Sequence, residues 1–173
     1  MIDCLNNVKI DFGQYVDTTT VTPSKEYHVL ELFAGAGGLA LGLEKAGFSS
    51  VGFVENNRDA CKTLRKNRKK WNVIEMDIED VAENGIKNYI REPVEIDLVS
   101  GGYPCQAFSY AGNKKGFGDI RGTMFQYYAK ILEDLNPKMF LAENVRGLVN
   151  HDGGKTLETM LTVFQNIGYK TKH

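Results

Sequence analysis

The feature that most constrains this chain is a strand-like run that meets a glycine turn and continues at once as a helix. Residues 28–33, His-Val-Leu-Glu-Leu-Phe, are followed by Ala34-Gly35-Ala36-Gly37-Gly38-Leu39-Ala40 and a helical pattern through residues 43–46. Gly35, Gly37 and Ala40 fit the G-x-G-x-x-G/A turn, whose glycines let a nucleotide-like ligand lie against the backbone at a helix start. Residues 50–54 read as a second strand ending in Glu55, about twenty residues on, where a carboxylate can accept from both ribose hydroxyls. The alternative is a structural glycine turn with a surface glutamate. Strand, turn, helix and strand in this order predict an α/β domain with an open sheet.

A second stretch carries the chemistry. Residues 97–100 read as a short buried strand that runs into Gly101 and Gly102, and Pro104 stiffens the turn just before Cys105. The carboxyl ends of strands in an open α/β sheet are where ligands bind, so a thiol delivered there is placed as a nucleophile. Most cysteines of cytosolic chains are small buried hydrophobes instead. Here Gly-Gly-Tyr-Pro before Cys105 and Gln-Ala-Phe-Ser after it break any core period, which favours the nucleophile.

The remaining chain alternates in the same way. Residues 58–70 read as a helix bearing Arg58, Lys62, Arg65, Lys66, Arg68, Lys69 and Lys70, a solvated face in preference to a DNA-binding one, with Cys61 on its inner side. Residues 71–76 give a third strand ending at Asp77-Ile78, where Asp77 also suits the N-cap of a helix over residues 78–90. Residues 109–120 form a glycine-rich polar connection with Lys114 and Lys115. A helix is expected over residues 121–135, closed by Pro137. A fifth strand over residues 138–142 then delivers Glu143-Asn144-Val145. An amphipathic helix over residues 153–168 precedes residues 169–173, which read as the start of a sixth strand.

Composition excludes several classes. The 173 residues include 42% apolar and 25% charged residues with 18 glycines, an ordinary globular balance. No apolar run approaches a membrane span and no leader pattern opens the chain, so a cytoplasmic protein is expected. Three widely spaced cysteines and three histidines fit neither a disulfide framework nor a zinc site, and no metal is expected. A net charge of −1 is low for a nucleic-acid binder, so any basic groove is local or lies partly outside this chain. Residues 1–27 read as an N-terminal arm, with one added strand around residues 8–12 and no assigned chemistry.

Gly101-Gly102-Tyr103-Pro104-Cys105-Gln106, with Phe108-Ser109, resembles the Pro-Cys loop of the DNA (cytosine-5)-methyltransferases. Phe33-Ala34-Gly35-Ala36-Gly37-Gly38, Arg121-Gly122-Thr123-Met124-Phe125 and Glu143-Asn144-Val145 match that family in the same order. Glu31 stands where the family often carries aspartate, and Met124 where it often carries leucine. The resemblance implies a Rossmann-like, S-adenosylmethionine-dependent methyltransferase fold over residues 28–173. Its cofactor set would be Phe33, Ala34, Gly35, Ala36, Gly37, Gly38, Leu39, Glu55, Asn56, Asp77, Ile78, Gly102, Pro104, Thr123 and Met124. Its catalytic set would be Cys105, Glu143, Pro104 and Asn144.

The implied reaction is transfer of a methyl group to carbon 5 of a flipped cytosine in double-stranded DNA, in a restriction-modification context in a prokaryotic cell. The family continues with a recognition region and a returning C-terminal segment that have no counterpart here. An incomplete sheet lacking its last strands is therefore expected, in a fragment or in one subunit of a split enzyme whose second polypeptide carries the recognition domain; either is expected to be inactive alone. Cytosine-5 methylation of RNA, a non-catalytic S-adenosylmethionine-binding regulatory module and an NAD-dependent oxidoreductase are the competing readings, the last leaving the Pro-Cys loop unexplained.

Overall fold

The computed structural model describes residues 25–104 and 123–173. Five strands, β1 (Tyr27–Leu32), β2 (Phe48–Glu55), β3 (Val73–Glu75), β4 (Leu98–Gly101) and β5 (Met139–Ala142), form one sheet in the order β3-β2-β1-β4-β5. Every pairing is parallel. Parallel strands need crossovers, and helices α1 (Gly38–Lys45), α2 (Arg58–Asn67), α3 (Ile78–Asn84) and α4 (Met124–Leu135) supply them, while α5 (Lys155–Asn166) follows β5. The chain runs outward from β1 to β3, then returns to lay β4 on the other side of β1. The strand order thus reverses between β1 and β4, which is the point in such sheets where a crevice opens.

Both faces of the sheet are buried, which is why β1 and β4 read as nearly continuous apolar runs. Leu30, Leu32, Val54, Ile74, Val99 and Phe140 face a large core shared with Phe125, Tyr128, Met160 and Phe164. Ala34, Ala40, Phe53, Leu64 and Trp71 form a smaller core on α1 and α2. Cys61 is buried on the inner side of α2, as its helical position predicts, and its thiol donates to the Glu55 carbonyl at 3.4 Å. Burial is the main cause that pushes this thiol up from its ordinary range.

Several expected boundaries move for physical reasons. The helix expected over residues 58–70 ends at Asn67; Arg68 is extended and Trp71 turns back into the smaller core, leaving Arg68, Lys69 and Lys70 beyond the helix. The helix expected over residues 78–90 breaks at Gly85, whose φ of 83° leaves the helical region, and resumes as a 3-10 turn, Ile86–Tyr89. The helix expected over residues 153–168 is trimmed to Lys155–Asn166 because Gly153, Gly154 and Gly168 are all left-handed. Residues 169–173 form no strand, correcting the expected sixth; Tyr169 instead donates its hydroxyl to the Pro137 carbonyl at 2.7 Å. The arm's suggested strand around residues 8–12 lies outside the described residues, as does the connection over residues 109–120.

The N-terminal edge of the sheet is closed by Asp97. Its carboxylate accepts from Lys25 at 2.8 Å, from Lys138 at 2.7 Å and from the His28 backbone N–H at 3.0 Å, so one side chain ties the entries of β1, β4 and β5. Burial alone would raise its pKa, but the hydrogen bonds from Lys138, Lys25 and His28 outweigh it and hold the carboxyl at about 2, below its ordinary 3.8. A carboxyl lowered by folding adds stability above its ordinary value and loses that contribution as pH falls through the folded value. Asp97→Asn is therefore expected to lower the melting temperature at neutral pH. Thermal melts across an acid series should show the gap to wild type closing between 3.8 and about 2; a gap independent of pH would contradict this role.

Candidate active site

Because the strands are parallel and in register, their C-terminal ends emerge along one edge. Leu32 pairs with Val54 and Gly101, Glu55 with Glu75, and Gly101 with Ala142. The residues that follow, Phe33, Asn56, Met76, Gly102 and Glu143, therefore leave the sheet at one level. The pairing continues past the strands, with the Ala34 N–H donating to Val54, that of Met76 to Glu55 and that of Glu143 to Gly101. Motifs separated by more than a hundred residues of sequence thus meet at one rim.

The glycine turn is built from left-handed residues at alternate positions: Phe33 (φ 55°), Gly35 (φ 54°) and Gly37 (φ 86°). For a bulky residue such as Phe33 this conformation is strained and persists only where its surroundings impose it. The Glu55 carboxylate holds the turn, accepting from the Gly35 N–H at 2.8 Å with one oxygen and from the Asn57 N–H at 2.7 Å with the other. Each oxygen keeps acceptor capacity for a further donor. Asn56 donates to Asp77 at 3.1 Å, and Asp77 caps α3 through the Glu79 N–H at 3.0 Å, so the ends of β2 and β3 are linked by side chains. Asp77 and Ile78 thus stand at a capped helix start, with Ile78 buried.

On the other side of β1, Gly102 and Glu143 lie against each other. A Cβ at Gly102 would sit 2.7 Å from a Glu143 carboxylate oxygen, so the glycine is the space that this carboxylate occupies. Gly101 is equally constrained, since its Cβ would lie 2.4 Å from the Leu32 carbonyl oxygen. Tyr103 is buried, with its ring on Phe125 and Tyr128 and its hydroxyl 3.4 Å from the Met160 sulfur. Asn144 donates to the Tyr103 carbonyl at 2.9 Å and accepts from the Val145 N–H at 2.9 Å. The backbone leading to Pro104 is therefore fixed by a buried ring and by the residue next to Glu143. Thr123 caps α4, its hydroxyl accepting from the Gln126 N–H at 3.2 Å, and Met124 opens that helix. Cys105 lies outside the described residues.

The site thus brings together the glycine turn, Glu55, Asn56, Asp77, Gly102, Pro104 and Glu143 on one rim. Sequence reasoning did not find the Tyr103 anchor, the Asn144 bond to its carbonyl or the packing of Gly102 on Glu143, all of which are tertiary. Among the described residues no three His, Cys, Asp or Glu side chains are grouped to hold a metal ion. No helix among them is long and apolar enough to cross a membrane. Carboxylates stand at the ends of β2 and β3, open space lies over Gly35 and Gly38, and Glu31 and Ser100 carry buried oxygens with no hydrogen-bond partner. These acceptors suit a ligand that brings hydroxyl or amino donors, such as a nucleoside.

Comparison with known proteins bears on the fold and the family. The family model for the C-5 cytosine-specific DNA methylase matches residues 27–173. The chain is 58% identical over 165 residues to the type II methyltransferase M.Sau96I of Staphylococcus aureus, covering 95% of this chain and 38% of that protein. It is 53% identical over 157 residues to M.Eco47II of Escherichia coli, covering 91% of this chain and 36% of that protein. The chain therefore spans well under half the length of these relatives. Among solved structures, the Dnmt2 methyltransferase of S. pombe superposes with a TM-score of 0.62 at 26% identity, covering 84% of this chain and 42% of that one. The comparisons lend no support to a second polypeptide.

Glu31 supplies a test of the site's electrostatics. It lies in β1 two residues before Phe33, beside Ser100 on β4, and burial pushes its carboxyl from 4.5 up to about 7. A carboxyl raised by folding costs stability as pH climbs from its ordinary value through the folded one. Glu31→Gln is expected to melt near wild type at about pH 4 and above it at about pH 8, a gain of order a kcal/mol or more. Thermal melts at both values check this, and a variant less stable than wild type at the higher pH would contradict it.

Proposed function

Because the chain belongs to the C-5 cytosine-specific DNA methylase family, we propose that it carries the cofactor-binding and catalytic part of an enzyme that methylates carbon 5 of cytosine in double-stranded DNA. The observation that supports this most is the shared rim, on which Gly35, Glu55, Asp77, Gly102 and Glu143 emerge at one level from parallel strands in register. The names of the relatives favour a type II restriction-modification context, in which the enzyme would act in the cytoplasm. In this reading, base recognition belongs to the part of the relatives that this chain does not span.

S-adenosylmethionine, when bound, supplies an electrophilic methyl group on a sulfonium. Glu55 takes the ribose hydroxyls, Asp77 and Ile78 the adenine, and Phe33 with the Gly35–Gly38 turn borders the rest of the ligand. The amides at the start of α4, with Thr123 and Met124, suit a carboxylate there. Carbon 5 of cytosine is too weak a nucleophile to react unaided. The Cys105 thiolate bonds to carbon 6, and Glu143 hydrogen-bonds N3 and the exocyclic amino group, so electron density moves onto carbon 5. After methylation, carbon 5 loses its proton to a base. The electron pair so released restores the carbon 5–carbon 6 double bond and expels the thiolate. The target base must leave the duplex stack to reach these groups. Pro104 and Asn144 fix the approach of the thiol; they do not react.

A chimera tests this reading. Residues 27–173 replace the matched portion of the M.Sau96I methyltransferase, and methylation of duplex DNA is measured together with covalent capture of a 5-fluorocytosine duplex. The chimera should methylate and be captured; Cys105→Ser should abolish both, and Glu143→Gln should lower the rate roughly a hundredfold or more. Methylation that survives Cys105→Ser would contradict the proposal.

A further inference from the structure

We propose that Trp71, with Glu44 and Arg68, is a positioning residue for the glycine turn, supporting it from the side opposite the ligand and so setting cofactor affinity. This inference rests on the cofactor reading above. The proposal begins with Gly37, the last residue before α1, whose φ is 86°. A Cβ built there would lie 2.8 Å from Leu64 and 3.0 Å from the Trp71 ring, so the turn rests directly on that indole. Gly35 and Gly38 have nothing within 4 Å of the same position. One glycine of the turn thus faces the protein while its neighbours face open space.

The indole is itself held in place. Its ring stacks on Phe53 with centroids 4.3 Å apart, and its N–H donates to Glu44 at 2.7 Å. Glu44 sits near the end of α1, the helix that the turn begins, and also pairs with Arg68 at 3.4 Å. The Arg68 guanidinium lies over the indole at 5.8 Å. Trp71 therefore touches both ends of one unit: Gly37 before α1, and Glu44 in its last turn. Movement of the indole and movement of the turn are mechanically linked, with Glu55 fixing the turn from the other side through the Gly35 N–H. Gly37 also donates to the Ala34 carbonyl and accepts from the Leu41 N–H, so displacement at Gly37 is passed along the whole turn.

The chain contains a single tryptophan, so its emission reports this contact alone. The experiment titrates the full chain with S-adenosylhomocysteine, followed by calorimetry and by tryptophan emission, at a temperature where circular dichroism shows every variant folded. Wild type should bind, with emission shifting on the same curve. Glu44→Leu, which removes the indole's acceptor, should raise Kd about tenfold, whereas Glu44→Gln, which keeps an acceptor oxygen, should stay within about twofold of wild type. Trp71→Phe should weaken binding as Glu44→Leu does; if it does not fold, the two Glu44 variants carry the test. Wild-type binding with an unmoved emission, or equal affinity in Glu44→Leu and wild type, would overturn the inference while leaving the cofactor reading intact. Absence of binding by wild type would overturn both.

Discussion

The parallel ladder is the constraint from which the rest of this structure follows. In a parallel sheet all strands end on the same side, and pairing of Leu32 with both Val54 and Gly101 sets the level at which they do so. Gly101 then sets the level of β5 through Ala142. Glu55 ends β2, and Asp77, Gly102 and Glu143 are the next residue or two after strands whose ends are already fixed, so no loop is needed to bring these four together. A slip in any pairing would carry Glu55 away from Gly35, or Glu143 away from Gly102. The buried faces oppose such slips, since they would turn Leu30, Leu32 or Phe140 away from the core.

Two small buried assemblies convert this register into a rigid rim. One lies under the glycine turn, where Leu64 and Trp71 fill the space next to Gly37 and Glu55 accepts from Gly35. The other follows Gly102, where Tyr103 is anchored among Phe125, Tyr128 and Met160 and its carbonyl is held by Asn144. The rim therefore has one side over β2 and β3, carrying Glu55 and Asp77, and another over β4 and β5, carrying Gly102 and Glu143, with β1 between them. Asp97 closes the opposite edge of the sheet, at the entries of β1, β4 and β5.

The sequence made the order of strands and helices legible because each strand is a short apolar run punctuated by glycine, proline or an acidic residue. Gly35, Glu55, Asp77 and Glu143 could be picked out because strand ends are where such residues gain a purpose. Other features depend on contacts that local pattern does not encode. Gly85 breaks a helix that apolar spacing would have continued, and Trp71 ends another by folding back onto Gly37. The sixth strand suggested by residues 169–173 fails because Tyr169 is drawn to the Pro137 carbonyl and none of these residues pairs with a strand. Nor could Asp97 be recognised as a staple, since its two lysine partners are distant in sequence. Glu31 stood out only by comparison with aspartate in the family; its burial and raised carboxyl are properties of the folded sheet.

The central claim is that the C-terminal ends of these strands form one ligand-binding rim. Amide chemical-shift mapping of the isotope-labelled chain with S-adenosylhomocysteine tests it most directly. The largest shifts are expected on Gly35, Gly37 and Gly38, on Glu55 and Asn56, on Asp77 and Ile78, and on Gly102 and Thr123, with the Asp97 edge unmoved. Saturable binding whose shifts instead cluster at Lys25, His28, Asp97 and Lys138 would contradict it.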